Sequence, residues 1–177
     1  MSETDFETLE EKYINAVMEN NFEKAEEILD KPDFTPTLHC LSETIYQNNM
    51  RLTRRIMSTV EPDDACLAYA IMNHRHSLIK TILSKNIEIT QASLQYAITA
   101  CNIKMVKYLL YDCNLGISTE ILWDIEDEPQ PEDNFSPEIR LRRNRIIKTM
   151  LNKVLLEEGY TQKEIDEELQ TPDIELE

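Results

Sequence analysis

Glycine is almost missing from this 177-residue chain, which holds only Gly116 and Gly159. That scarcity removes whole classes of chemistry. A phosphate-cradling GxxxxGK[ST] loop, a dinucleotide-binding GxGxxG and a nucleophile-bearing GxSxG all need clustered glycines, so none can be built. Histidine is nearly as rare. His39, His74 and His76 form no HExxH motif, and they offer little material for a general base or a triad. His74 and His76 are two apart and face different ways on a helix, which speaks against a metal pair. Cys40, Cys66, Cys101 and Cys113 are widely spaced with no CxxC pair. They read as free thiols of a reducing compartment, not as a disulfide framework or a zinc site. No apolar run reaches the length of a membrane span, and Met1-Ser-Glu-Thr-Asp5 is acidic, unlike a signal peptide. The expectation is an intracellular protein, cytoplasmic or nuclear, with no catalytic site, cofactor, metal or membrane contact.

A basic surface is also lacking. Residues 1–30 carry ten acids and two bases, residues 31–123 eight acids and nine bases, and residues 124–177 sixteen acids and seven bases, for a net charge of −16. Direct binding to nucleic-acid phosphates needs the opposite balance. Acidic ends around a nearly neutral middle fit either plain solubility or a basic protein partner. The adjacent carboxylates Glu10–Glu11, Asp63–Asp64 and Glu157–Glu158 are what so acidic a chain holds by chance.

What the chain does contain is an internal repeat. Laid over each other at an offset of 27, Leu67–Leu83 and Leu94–Leu110 match Leu67 with Leu94, Tyr69 with Tyr96, Ala70-Ile71 with Ala97-Ile98, Lys80 with Lys107 and Ile82-Leu83 with Leu109-Leu110. Weaker copies lie upstream, with Leu41, Thr44, Met50 and Ile56-Met57 in the same slots, and before them Tyr13, Ala16, Phe22 and Ile28-Leu29. Each copy divides into a short helix, a polar break and a second helix with one apolar stripe, and such a pair buries its stripe only by stacking on neighbours. The slots predict Leu67, Ala70, Ile79, Ile82, Leu83, Leu94, Ala97, Val106, Leu109 and Leu110 as core. His76, in an apolar slot, is expected to be half-buried.

Leu94-Gln-Tyr-Ala97 and Asn102-Ile-Lys-Met-Val-Lys-Tyr-Leu-Leu110 carry a resemblance to the ankyrin repeat, covering roughly residues 12–155. The chain departs from that family in three ways. Asn20, Asn48, His74 and Cys101 stand where the break glycine is expected, the period is 26–28 and not about 33, and Thr35-Pro-Thr-Leu-His39 sits out of register. Such eroded repeats are similar to those of large DNA viruses and some intracellular bacteria. The resemblance implies an all-α, ankyrin-like helical-repeat solenoid of about five units with short connectors. The units span about 5–30, 38–60, 65–87, 92–115 and 119–158, the last interrupted by an insertion at 126–136, and 161–177 forms an acidic C-terminal helix and tail.

Several local signals refine this. Thr4-Asp-Phe-Glu7 and Thr161-Gln-Lys-Glu164 read as capping boxes, the first starting a helix at Asp5. Asp63 or Asp64 caps the third unit. Arg51, Arg54 and Arg55 share one side of a helix, either paired with acids of the first unit or forming a docking patch. Lys85–Thr90 forms an extended finger or tucks Ile87 and Ile89 under the next helix. Gly116 suits a left-handed turn. Glu126–Asn134 is an acidic, proline-containing surface loop. Ser136-Pro137 starts a long helix whose Arg140, Arg142, Arg143 and Arg145 oppose its dipole and so should meet that loop or a ligand.

What the resemblance implies for function is non-enzymatic binding of another protein on a concave face of first helices and connectors, as in a viral or pathogen modulator of host signalling. The expected contact residues are Asp33, Phe34, Asp63, Asp64, Glu88, Thr90 and Trp123, with Phe34 and Trp123 as aromatic anchors. Two alternatives stay open: an acidic inhibitor covering the basic surface of a nuclease or nucleic-acid-binding protein, and a structural subunit of a larger assembly.

Overall fold

A computed structural model describes residues 7–124 and 136–168. Every regular element among its described residues is helical, with no strand. The chain divides into two compact units, Met1–Glu88 and Ile89–Glu177.

The first unit holds three helix pairs: α1 (Leu9–Met18) with α2 (Phe22–Leu29), α3 (Leu38–Tyr46) with α4 (Met50–Ile56), and α5 (Asp64–Met72) with α6 (His76–Leu83). Each first helix packs on its own second helix, α1 packs on α3, and α3 on α5. Like ends meet. Thr37, the N-cap of α3, donates to the Glu10 carboxylate in the first turn of α1 at 2.5 Å. Asn73, just past α5, donates to the Ile45 and Tyr46 carbonyls at the end of α3 at 2.8 and 3.1 Å. The three first helices therefore run side by side in one direction.

The break within each pair is a two-residue device. Asn20, Asn48 and His74 have φ of 57°, 61° and 54°, and Cys101 in the second unit has 49°. At each, the amide bonds the carbonyl three residues back, and the next amide bonds the carbonyl five back: Asn20 to Val17 and Asn21 to Ala16, Asn48 to Ile45 and Asn49 to Thr44, His74 to Ile71 and Arg75 to Ala70, Cys101 to Ile98 and Asn102 to Ala97. This is the paired bonding of a Schellman turn, which normally takes glycine at the left-handed position. Asparagine tolerates that position because its short side chain bonds locally. The following residue then caps the second helix. Asn21, Asn49 and Asn102 each accept an amide of the next turn through their side chains, while Arg75 makes no such cap and instead donates to the Asn48 side chain.

The second unit is less regular. α7 (Gln91–Thr99) packs on α8 (Ile103–Lys107), which runs on as a π-helical turn over Tyr108–Asp112. A 3-10 turn at Thr119–Asp124 stands where a first helix of a fifth unit is expected, and α9 (Pro137–Glu157) is 21 residues long. α9 packs on α8 and on the 3-10 turn, and α10 (Gln162–Glu168) packs on both α9 and that turn. Thr161 and Glu164 form the expected reciprocal cap at 2.7 and 3.3 Å.

Nine of the ten core positions read from the repeat slots are buried. Leu83 is only half-buried. It closes α6, and its slot-mates Leu29 and Met57 are likewise half-buried. Leu110 differs because the π turn, with its wider i→i+5 ring, sets Leu109 and Leu110 closer in azimuth and lets both face inward. His76 is exposed at the first position of α6, although Phe22, Met50 and Ile103 in the same slot are half-buried. α1 begins at Leu9, where Thr8 and Glu11 make the reciprocal cap; the expected start at Asp5 lies outside the described residues. Gly116 is not left-handed; Asn114 takes that conformation with φ 50°. Ile87 and Ile89 are half-buried with no strand between them. The insertion at 126–134 and the tail from 169 onward lie outside the described residues.

Candidate protein-interaction surface

The repeat arithmetic that aligns the cores also aligns what the first helices leave outside. Met18, Tyr46 and Met72 occupy one slot at offsets of 28 and 26, as do Asn15, Glu43 and Tyr69. Since α1, α3 and α5 lie side by side in one direction, these residues fall into two adjacent rows. Met18 and Tyr46 are 55% and 46% exposed, and Met72 and Tyr69 are half-buried. The Tyr46 and Tyr69 rings meet edge to face with centroids 5.2 Å apart, an arrangement that fixes both rings. Single exposed apolar side chains are ordinary; Met18, Tyr46 and Met72 aligned on neighbouring helices, with Tyr69 beside them, are the kind of patch that partners cover. Glu43 lies in the second row, and Glu11 lies one turn before Asn15 on α1. A bond from the Thr8 amide holds the Glu11 carboxyl below its usual range, and Glu43 lies 3.8 Å from His39.

The seven expected contact residues serve mixed ends. Phe34 stacks on Tyr13 at 5.7 Å and is half-buried, so its ring already has a partner inside the protein. Asp63 is the N-cap of α5, accepting the Cys66 amide at 3.0 Å, and Asp64 occupies the first turn. Thr90 caps α7, accepting the Ala92 amide at 3.2 Å. Asp33 and Glu88 are exposed in the connectors. Trp123 lies in the 3-10 turn, and its side chain is outside the described residues. The structure thus brings Asp33, Phe34, Asp63 and Asp64 to the connectors that enter α3 and α5. Glu88 ends the first unit, while Thr90 and Trp123 belong to the second. Met18 and Tyr46 were missed by sequence reasoning. The available signal was two large apolar residues in one slot at the helix ends, outside the core positions.

The arginine alternatives resolve toward pairing. Arg51 meets Glu26 at 3.0 Å and Arg55 meets Asp30 at 2.6 Å, tying the second pair to the first. Exposed pairs of this kind each contribute about 0–1 kcal/mol. On α9, Arg143 donates to the Cys101 carbonyl at 3.0 Å, and the Cys101 thiol meets the Asn144 side chain at 3.1 Å. Arg140 and Asn144 are themselves buried. These groups complete the break between α7 and α8, where a cation suits the carboxyl end of a helix.

The reactive groups are sequestered. Tyr13 is fully buried, shares a 2.8 Å hydrogen bond with Thr44, and has its phenol pushed up to about 12 by burial. Burial likewise pushes the Cys66 thiol up to about 12 and raises Cys40. All four cysteines are free. Among the described residues, no three His, Cys, Asp or Glu side chains are grouped to hold a metal, and no helix is long and apolar enough to cross a membrane. Comparison with protein-family models, curated proteins and solved structures gives no match.

Proposed function

We propose that this chain is a non-enzymatic protein-binding module of divergent ankyrin-like repeats. Its first unit takes a partner protein across the first-helix rows and the adjoining connectors. The observation that carries the reading is the pair of rows themselves: Met18 and Tyr46 stand exposed on neighbouring parallel helices, and half-buried Tyr69 packs edge to face on Tyr46. The ankyrin likeness draws its support from the left-handed break, repeated at residues 20, 48, 74 and 101. The carboxylates of residues 1–30, ten acids against two bases, favour a partner with a basic rim, and they keep the acidic-inhibitor reading as a second possibility. In the first reading the apolar row and Tyr69 dominate affinity; in the second, charge does.

The experiment is affinity capture of a partner from cells, followed by titration against purified variants. Met18→Ala with Tyr46→Ala is expected to weaken binding by about tenfold or more, as for buried anchor residues. Losses that map to Arg51 and Arg54 on the second helices would overturn the reading. A steep fall in affinity with salt, unaffected by the apolar variants, would favour the inhibitor. A defined homo-oligomer in light scattering would favour a structural subunit.

A further inference from the structure

We propose that the outward face of α9 is a second interaction surface, built to receive an acidic amphipathic helix from a partner protein. α9 presents two unlike faces. Arg140, Asn144, Ile147, Leu151, Val154 and Leu155 point inward and are buried. Ile139, Arg142, Ile146, Thr149, Lys153 and Leu156 follow one another at alternating steps of three and four on the opposite side, the spacing of a helix–helix seam. On that side Ile139, Ile146 and Leu156 are 48%, 40% and 47% exposed. The start of the helix is thus inverted, with an arginine and an asparagine inside and two isoleucines outside. Inward, Arg143 and Asn144 are committed to Cys101; nothing in that arrangement calls for the outward isoleucines.

Charge selects the occupant. α9 carries six bases and two acids in a chain whose net charge is −16. Arg142 and Arg145 are exposed, and neither guanidinium has an ion pair among the described residues. Lys153 pairs with Glu157 at 3.7 Å and lies 5.6 Å from the centre of the Tyr111 ring. A helix that lies in a lipid surface keeps apolar and charged residues on separate sides; here they alternate along one seam, and the other side is packed on protein. A phosphate backbone or an anionic bilayer also brings dense, extended negative charge against an acidic chain. A single acidic helix does not. Its apolar residues at three- and four-residue spacing fit against Ile139, Ile146 and Leu156, while its flanking carboxylates reach Arg142 and Arg145.

The test uses the full chain and a fluorescein-labelled synthetic helix with leucines at seam positions flanked by glutamates, read by fluorescence anisotropy. A scramble of identical composition, phosphatidylserine vesicles and a DNA duplex serve as competitors. The expected result is saturable peptide binding that weakens with salt. Arg142→Glu with Arg145→Glu should weaken it about tenfold, as expected for two exposed charge contacts that become repulsive. Ile139→Ala with Ile146→Ala should also weaken it, and Arg142→Gln should do so to a smaller degree. Met18→Ala with Tyr46→Ala should leave it unchanged, so failure here is distinct from failure of the first-helix reading. Lack of binding at millimolar peptide, equal binding of the scramble, wild-type affinity in the α9 variants, or capture of vesicles or duplex in preference to the peptide would each overturn the proposal.

Discussion

The two units solve one problem in different ways. Residues 9–83 repeat a single helix pair three times, and each pair is tied to the one before by short polar contacts: Thr37 to Glu10, Asn73 to the end of α3, Arg51 to Glu26. Residues 91–168 begin with the same pair and then abandon it. A π turn widens the second helix, a 3-10 turn takes the place of the next first helix, and the long α9 supplies Arg143 and Asn144 to the break at Cys101. The lesson is that a helix break has a fixed requirement, satisfied carbonyls at its carboxyl end, which either a neighbouring repeat or an unrelated helix can meet. The same comparison separates the two proposed surfaces. The regular unit leaves rows of aligned side chains outside; the irregular one leaves a single helix face.

The largest effects should come from the cores, and they should be equal if the two units are equally well packed. Leu67→Ala and Leu109→Ala each remove a fully buried leucine, and each is expected to cost about 2–5 kcal/mol in chemical denaturation. A loss below about 0.5 kcal/mol at Leu109 would mean that the π turn does not hold it inside.

The break contacts come next. Asn73→Ala removes the side-chain donor from two carbonyls at the end of α3, of which Ile45 keeps the Asn48 amide, and Arg143→Ala leaves the Cys101 carbonyl with the Ile103 amide alone. Each should cost about 1–3 kcal/mol. If only the arginine matters, the second unit depends on its long helix more than the first depends on its stitching. A related contrast lies at the left-handed positions. His74→Gly removes a backbone penalty of about 1 kcal/mol, so it should raise the melting temperature. Asn48→Gly, which replaces a residue that already tolerates the conformation, should change it little. Equal responses would show that the side chain of His74 contributes as much as its backbone costs.

Alkaline stability tests the buried groups of the first unit. Tyr13 and Cys66 both belong to it, and both have folded-state values raised to about 12, from 10.0 and 9.0. A group raised in the folded state contributes stability in full below its unfolded value and loses it as pH climbs through its folded value. The first unit should therefore weaken between about pH 9 and 12, and Tyr13→Phe should flatten that fall. The same burial makes the thiols slow. Half-buried Cys113 should react with a thiol reagent before Cys40, Cys66 and Cys101 do.

How far these features could be read from the residues follows the same division. The helix pairs were legible because their apolar slots recur, and Asn20 and Asn48 hinted at the left-handed breaks. His74 and Cys101 gave no such hint: only their slot marks them. Of Asp63 and Asp64, each read as a possible cap, Asp63 is the cap, and Phe34, read as an anchor, is taken up by Tyr13. The arginines of α9 were expected to meet the acidic loop or a ligand, whereas Arg143 turns to the Cys101 carbonyl, because burial of a polar side chain depends on a distant carbonyl that local pattern does not reveal. The π turn and the 3-10 turn depend on packing across the second unit, and no local propensity distinguishes Tyr108–Asp112 or Thr119–Asp124 from ordinary helix.

The smallest effect is expected at the acidic insertion, Glu126–Asn134. The contacts of α9 with α8, α10 and the 3-10 turn are all made by residues on either side of it. Shortening a surface connection changes closure entropy only slightly, by about 0.6 kcal/mol per twofold change in length. Replacing Glu126–Asn134 by an Asn-Gly link should therefore leave the melting temperature nearly unchanged. The deletion also sharpens the reading of α9. It removes five carboxylates, Glu126, Asp127, Glu128, Glu132 and Asp133, from the sequence leading into Arg142 and Arg145. If those carboxylates neutralise the arginines, the deletion should destabilise the chain most at low salt and less once the charges are screened. If α9 keeps its outward face for another protein, stability should not respond to salt in this way, and the acidic probe should bind the shortened chain at least as well. A large loss of stability independent of salt would sink both outcomes, because it would mean that the segment is packed into the core of the second unit.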